Sequence, residues 1–125
     1  MKYESRNMNE PEDLKERTKK FALRVIKLYS ALPKTTEAQV MGKQVLRSAT
    51  SVGAHYREAI RARSTAEYVS KIQGGMQELE ESSYWFELIV GAEIFAEKKL
   101  KELIDEADQL MAILTAIVKK EKAKC

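Results

Sequence analysis

Apolar residues recur along this chain at alternating spacings of three and four in four separate blocks, the pattern of helices that each bury one stripe. In the first block the stripe is Leu14, Phe21, Val25, Leu28 and Leu32; Pro11 suits a first helical turn and Pro33 a stop. The second block opens at Thr36-Glu37-Ala38-Gln39, a capping-box pattern, and its stripe is Gly42, Leu46, Ala49, Gly53, Tyr56 and Ile60. Ser64-Thr65-Ala66-Glu67 is a second capping box, so a third helix starts after almost no loop. Its stripe is Val69, Ile72, Met76, Leu79, Ser83, Phe86 and Val90, with Gly91 as its end. The fourth stripe is Leu100, Leu103, Ala107, Leu110, Leu114 and Ile117, running into a lysine-rich end. The spacing predicts helices near 12–32, 37–63, 65–91 and 97–121, with fraying at 1–10 and 119–125. No strand of any length and no internal repeat is visible.

Long helices joined by short connections become antiparallel neighbours, so the expected fold is all-α: an up-down-up-down antiparallel four-helix bundle in a single domain, 1–125. The turn near Arg63 then pairs the second and third helices so that facing residue numbers sum to about 127. That register sets Arg47 opposite Glu80 and Glu81 and Lys43 near Tyr84. Residues 38–63 carry five basic residues and one Glu, whereas 64–91 carry five acidic residues and one Lys. Complementary charge across two adjacent helices accounts for much of this, and exposed pairs are worth only about 0–1 kcal/mol each.

Two runs exceed what one bundle core uses. Tyr84-Trp85-Phe86 leads into Leu88-Ile89-Val90, and three adjacent aromatics span about 200° of a helix. Together with Leu23, Ile26 and Tyr29, which lie off the first stripe, this run predicts self-association, with Tyr84, Trp85 and Ile89 at the interface between copies. The second run is Leu46 to Arg63, where small residues give way to Arg57, Arg61 and Arg63. Lys43, Arg47, Arg57, Arg61 and Arg63 are the candidate phosphate-binding residues, together with the Lys119–Lys124 tail. The competing explanation is that the arginines only bridge to the glutamates of the third helix.

Composition narrows the chemistry. With 22 Lys+Arg against 19 Asp+Glu the net charge is +3, too mild to argue for nucleic acid except through where the charges sit. The single Cys is residue 125, so no internal disulfide can form. The first residues lack the apolar core of a signal peptide, and no apolar run approaches the roughly 20 residues of a membrane span. A soluble, cytoplasmic protein is expected. His55 is the only histidine, the Glu-x-x-His pattern of di-iron bundles is missing, and Gly74-Gly75 falls inside a helix rather than in a phosphate loop. An enzyme, a metal centre or a bound cofactor is not expected, and His55 reads as an ordinary helix residue.

The segments Phe21-Ala22-Leu23-Arg24-Val25-Ile26, Gln44 through Ala54 (QVLRSATSVGA), Tyr56-Arg57-Glu58-Ala59, Arg61-Ala62-Arg63-Ser64 and Tyr84-Trp85-Phe86-Glu87-Leu88 resemble the bacterial 23S rRNA intervening-sequence proteins. The resemblance covers about residues 13 to 118. Two positions depart from it: His55, where the family often has Asn, and Phe95-Ala96, where it has a Ser or Thr cap. The resemblance implies an up-down bundle assembled as a homopentamer. A similar family, the accessory proteins of diversity-generating retroelements, comprises basic pentamers that bind a reverse transcriptase and nucleic acid. By that analogy the chain is either an RNA- or DNA-backbone-binding or scaffold protein, or a protein-binding adaptor that docks an enzyme such as a reverse transcriptase.

Overall fold

The structure, a computed structural model, describes residues 11–124. The expectations for residues 1–10 and for Cys125 fall outside that range. Four helices make up the fold: α1 (Pro11–Ala31), α2 (Thr36–Ala59), α3 (Thr65–Gly91) and α4 (Glu97–Ala123). Each packs against the next in sequence, and α1 meets α4 to close the bundle. No strand occurs among the described residues. The all-α four-helix bundle read from the periodicity is the fold observed.

Local chemistry explains the helix ends. Thr35, not Thr36, caps α2: its extended backbone lets the side chain accept from the Ala38 N–H. Ser64 caps α3 by accepting from the Glu67 N–H at 3.0 Å. The Glu67 carboxylate in turn accepts from the Arg63 N–H at 3.3 Å. Because Ser64 must be extended to cap, α2 cannot run into α3. It stops at Ala59, four residues before the predicted end, and the amides of Arg61 and Ala62 fold back onto the carbonyls of Glu58 and Ala59. The end of α3 is a Schellman turn, with the Ile94 N–H reaching the Ile89 carbonyl and the Glu93 N–H that of Val90. The left-handed residue there is Glu93, at φ 61°, and not Gly91. At α4, Ala96 takes the N-cap position without a side-chain hydrogen bond. The helix then runs two residues beyond the expected 121, to Ala123.

The core is centred on Phe21, Val25, Val45, Val52, Ile72, Leu79, Phe86, Ile89, Leu100, Leu110 and Leu114. Phe21 and Phe86 meet edge to face across the bundle, with ring centroids 6.4 Å apart. The stripes of α1 and α4 are close to the expected ones, except that Val118 is buried in place of Ile117. Those of α2 and α3 hold in part: Gly42, Ala49, Gly53, Tyr56, Val69, Ile72, Leu79 and Phe86 are buried as expected, and the remaining positions are turned by one residue. Val45 and Val52 fill the α2 core positions and Leu46 is only half-buried, while Gly75, Ser82 and Ile89 replace Met76, Ser83 and Val90 on α3. The physical reason lies in the small residues. On α2 Ala49 lies in the core, while Gly42, Ser48 and Gly53 line the edges where neighbouring helices approach. A Cβ on Gly53 would lie 3.1 Å from Thr18 Oγ1 of α1, and one on Gly42 would strike Leu32 and Tyr29. On the opposite edge the hydroxyls of Ser48 and Ser82 lie 2.7 Å apart in a buried contact between α2 and α3.

Candidate nucleic-acid interface and ionic seam

The five basic residues expected to act together separate into two groups. Fourteen residues of helix place Lys43 and Arg57 about 21 Å apart along the axis. Arg47 is engaged: one guanidinium nitrogen lies 3.5 Å from Glu78 and another bonds Glu81. Glu80, the other expected partner, instead lines the α4-facing side of α3. Residues three apart share a helix edge, which is why Glu78 and Glu81 can both meet one arginine and Glu80 cannot.

Arg57, Arg61 and Arg63 form the second group. Arg57 occupies the last turn of α2, and Arg61 and Arg63 lie in the connection 60–64, not on the helix. All three side chains are exposed, and none has a carboxylate within 4 Å among the described residues. The last turns of α4 abut this connection: Arg63, Ser64 and Tyr68 surround one hollow with Glu121, and Lys122 borders the next. Burial and the neighbouring Glu121 charge raise the Tyr68 hydroxyl pKa above its ordinary 10.0. Lys119, Lys120, Lys122 and Lys124 therefore share one pole of the bundle with the three free guanidiniums; Lys124 pairs with Glu121 at 3.3 Å.

His55 is more than an ordinary surface residue. It sits in the α2–α3 seam with Nδ1 3.5 Å from Glu58 and Nε2 3.8 Å from Glu78. Lys71 reaches Glu58 at 3.2 Å, so a line of polar side chains runs from Arg47 through Glu78, His55 and Glu58 to Lys71, and the imidazole lies between the two carboxylates. Its Nδ1 is buried and makes no hydrogen bond. The imidazole lies so close to Gly74 that a Cβ there would be 3.0 Å from the ring. Sequence reading took His55 as an ordinary helix residue and did not place it in this seam.

At the expected contact surface between copies, Tyr84 is exposed and packs on Trp85, with ring centroids 5.3 Å apart. Trp85 is half-buried, and its indole N–H is enclosed without an acceptor. Ile89 does not belong to that surface. It is 0% exposed, because the rotation of α3 turns it into the core of its own subunit. Leu23, Ile26 and Val40 are the other large apolar side chains left in solvent. Among the described residues no cluster of metal-ligating side chains occurs, and no helix is long and apolar enough to cross a membrane.

Residues 12–116 match the 23S rRNA-intervening sequence protein family, and the chain belongs to it. Its fold is similar to the crystal structure of a protein of unknown function from the S23 ribosomal protein family of Bacteroides thetaiotaomicron, with a TM-score of 0.82 and 32% identity. That similarity covers 87% of this chain and 97% of the other. No curated protein matches the chain.

Proposed function

We propose that this member of the 23S rRNA-intervening sequence family is a non-enzymatic, self-associating protein that binds the phosphate backbone of RNA through one pole of its bundle. The observation that carries this reading is the group of Arg57, Arg61 and Arg63, unpaired with any described carboxylate and set beside the last turns of α4 with their lysines. Guanidiniums and ammoniums bind phosphate oxygens strongly, and such contacts carry no base information. One subunit offers only a modest patch. A cytoplasmic homo-oligomer, a pentamer by family analogy, repeats it, and multivalency raises avidity by about 10²–10⁴. Tyr84, 52% exposed, with Leu23 and Val40, is the apolar surface that supports self-association. Lys43 and Arg47 drop out of this reading, since Arg47 already serves the α2–α3 seam.

Filter binding of a structured RNA at about 50 and 200 mM salt tests the proposal, with Arg57→Ala/Arg61→Ala/Arg63→Ala beside the native chain. Binding that falls steeply with salt and is lost in the triple variant is expected. No binding at low salt by an assembly shown intact by light scattering would reject it and leave a protein-docking adaptor. A particle of about 14 kDa at all concentrations, the mass of one chain, would reject self-association.

A further inference from the structure

The seam between α1 and α4 opens at the opposite pole from the arginines. There it forms a groove of about 490 Å³ lined by Arg24 and Lys27 from α1 and Lys98, Lys99 and Glu102 from α4, over apolar Leu28 and Leu103. We infer that this groove binds a compact polyphosphate, a ligand carrying two or more linked phosphates, at a site separate from the RNA-contacting pole.

Four basic residues line this groove against one carboxylate. The only ion pair within the groove is Arg24 with Glu102 at 3.7 Å, beyond hydrogen-bond distance, and the Glu102 side chain is 94% exposed. Lys27, Lys98 and Lys99 have no carboxylate within 4 Å among the described residues. Further along the same α4-facing edge the pairing is close: Arg17, seven positions before Arg24, is held by both oxygens of Glu106 at 2.8 and 3.0 Å. Unneutralised like charges brought together by folding are a standing cost, and an anion placed among them relieves it. The Lys99 ammonium lies over the Phe95 ring at 5.0 Å, a contact that leaves its charge intact.

The donor set selects phosphate. One fork-shaped guanidinium and three compact ammoniums, divided between two helices, suit several tetrahedral oxyanions in a row better than one planar carboxylate. The volume falls within the roughly 300–1,000 Å³ usual for small-ligand sites, so a short phosphate chain fits. The start of α4 adds to the positive potential, because Ala96 provides no side chain to cover its first amides. Extended nucleic acid is better served at the other pole: Lys99 and Lys120 are separated by 21 helical residues, about 32 Å along the axis.

Isothermal titration of the full chain with inorganic triphosphate at about 50 mM salt tests the inference. The native protein is expected to bind. Lys98→Gln/Lys99→Gln and Arg24→Gln are each expected to weaken binding at least tenfold, while Arg57→Ala/Arg61→Ala/Arg63→Ala stays within twofold of native. All the altered side chains are solvent-exposed or partly so, and equal thermal melting of the variants confirms their folding. Absence of binding by the native chain overturns the inference, as does a loss of similar size in the arginine triple variant, which would indicate diffuse charge attraction. RNA binding supplies the separating control. It should survive Lys98→Gln/Lys99→Gln, so the two sites can fail independently.

Discussion

The α2–α3 and α1–α4 seams are both made from amphipathic helices of 21 to 27 residues, yet one is closed and the other is open. Along α2–α3 the side chains at the contact are Ser48, Ser82, Gly74 and Gly75. Backbones approach so closely that a Cβ on Gly75 would lie 3.7 Å from the Val52 carbonyl oxygen. Two hydroxyls bond each other there, and a line of ionic and polar side chains covers the outside. Along α1–α4 the facing residues are long and charged. Arg17 and Glu106 bridge the two helices at one level, and further along the same seam Arg24, Lys27, Lys98 and Lys99 leave a groove. Side-chain size at the contact sets the interaxial distance, which varies between about 8 and 10 Å in packed helices. The comparison teaches that the closed seam holds the subunit together and the open one retains unspent charge.

The largest effect should follow from forcing the closed seam apart. Ser48→Leu places a branched side chain where a hydroxyl contact of 2.7 Å now sits; a loss of about 3 kcal/mol in urea unfolding is expected. A subtler probe separates packing from hydrogen bonding. Ser48→Ala alone leaves the buried Ser82 hydroxyl with only its bond to the Glu78 carbonyl and should cost about 1–2 kcal/mol. Ser48→Ala/Ser82→Ala together should cost less than the sum of the single changes. Strict additivity would show that the hydroxyl pair contributes nothing of its own.

At the open seam, Arg17→Met should cost about 2–3 kcal/mol, because it leaves Glu106, whose side chain is only 17% exposed, without its two-bond partner. Raising the salt to about 1 M should shrink that difference. A change at the α3–α4 turn, which touches neither seam, provides a control of opposite sign. Glu93→Gly relieves a left-handed residue, at φ 61°, and should stabilise by about 0.5–1 kcal/mol. The smallest effect concerns pH. Because the Tyr68 hydroxyl is raised above 10.0 in the folded chain, the folded state holds that proton more tightly than the unfolded state. Stability should then fall as pH climbs from the ordinary tyrosine range to the folded value, and Tyr68→Phe should flatten that fall in an alkaline melting series.

Helix number, order and approximate ends were legible because they depend on local interactions: the three-four apolar period, the cap at Ser64 and Pro33 as a stop, with the α2 cap misplaced by one residue, at Thr36 instead of Thr35. The family was equally legible, in the run from Gln44 to Ala54 and its neighbours, and the family match spans residues 12–116. What a linear pattern does not contain is rotation about each helix axis. One position of error is about 100°, enough to exchange Val45 for Leu46 and Ile89 for Val90, and so to place Ile89 in a surface it never reaches. Rotation is decided by which neighbours press on both edges of a helix, and small residues mark those edges more reliably than the centre. The same holds for the charges. Five basic residues in one stretch of sequence read as one face, but only the folded chain joins Arg47 to Glu78 and Glu81, moves Arg61 and Arg63 onto a turn beside the lysines of α4, and gathers Arg24 and Lys27 with Lys98 and Lys99 from opposite ends of the sequence. Pairing and convergence are properties of distance in space, and distance in space is settled by packing.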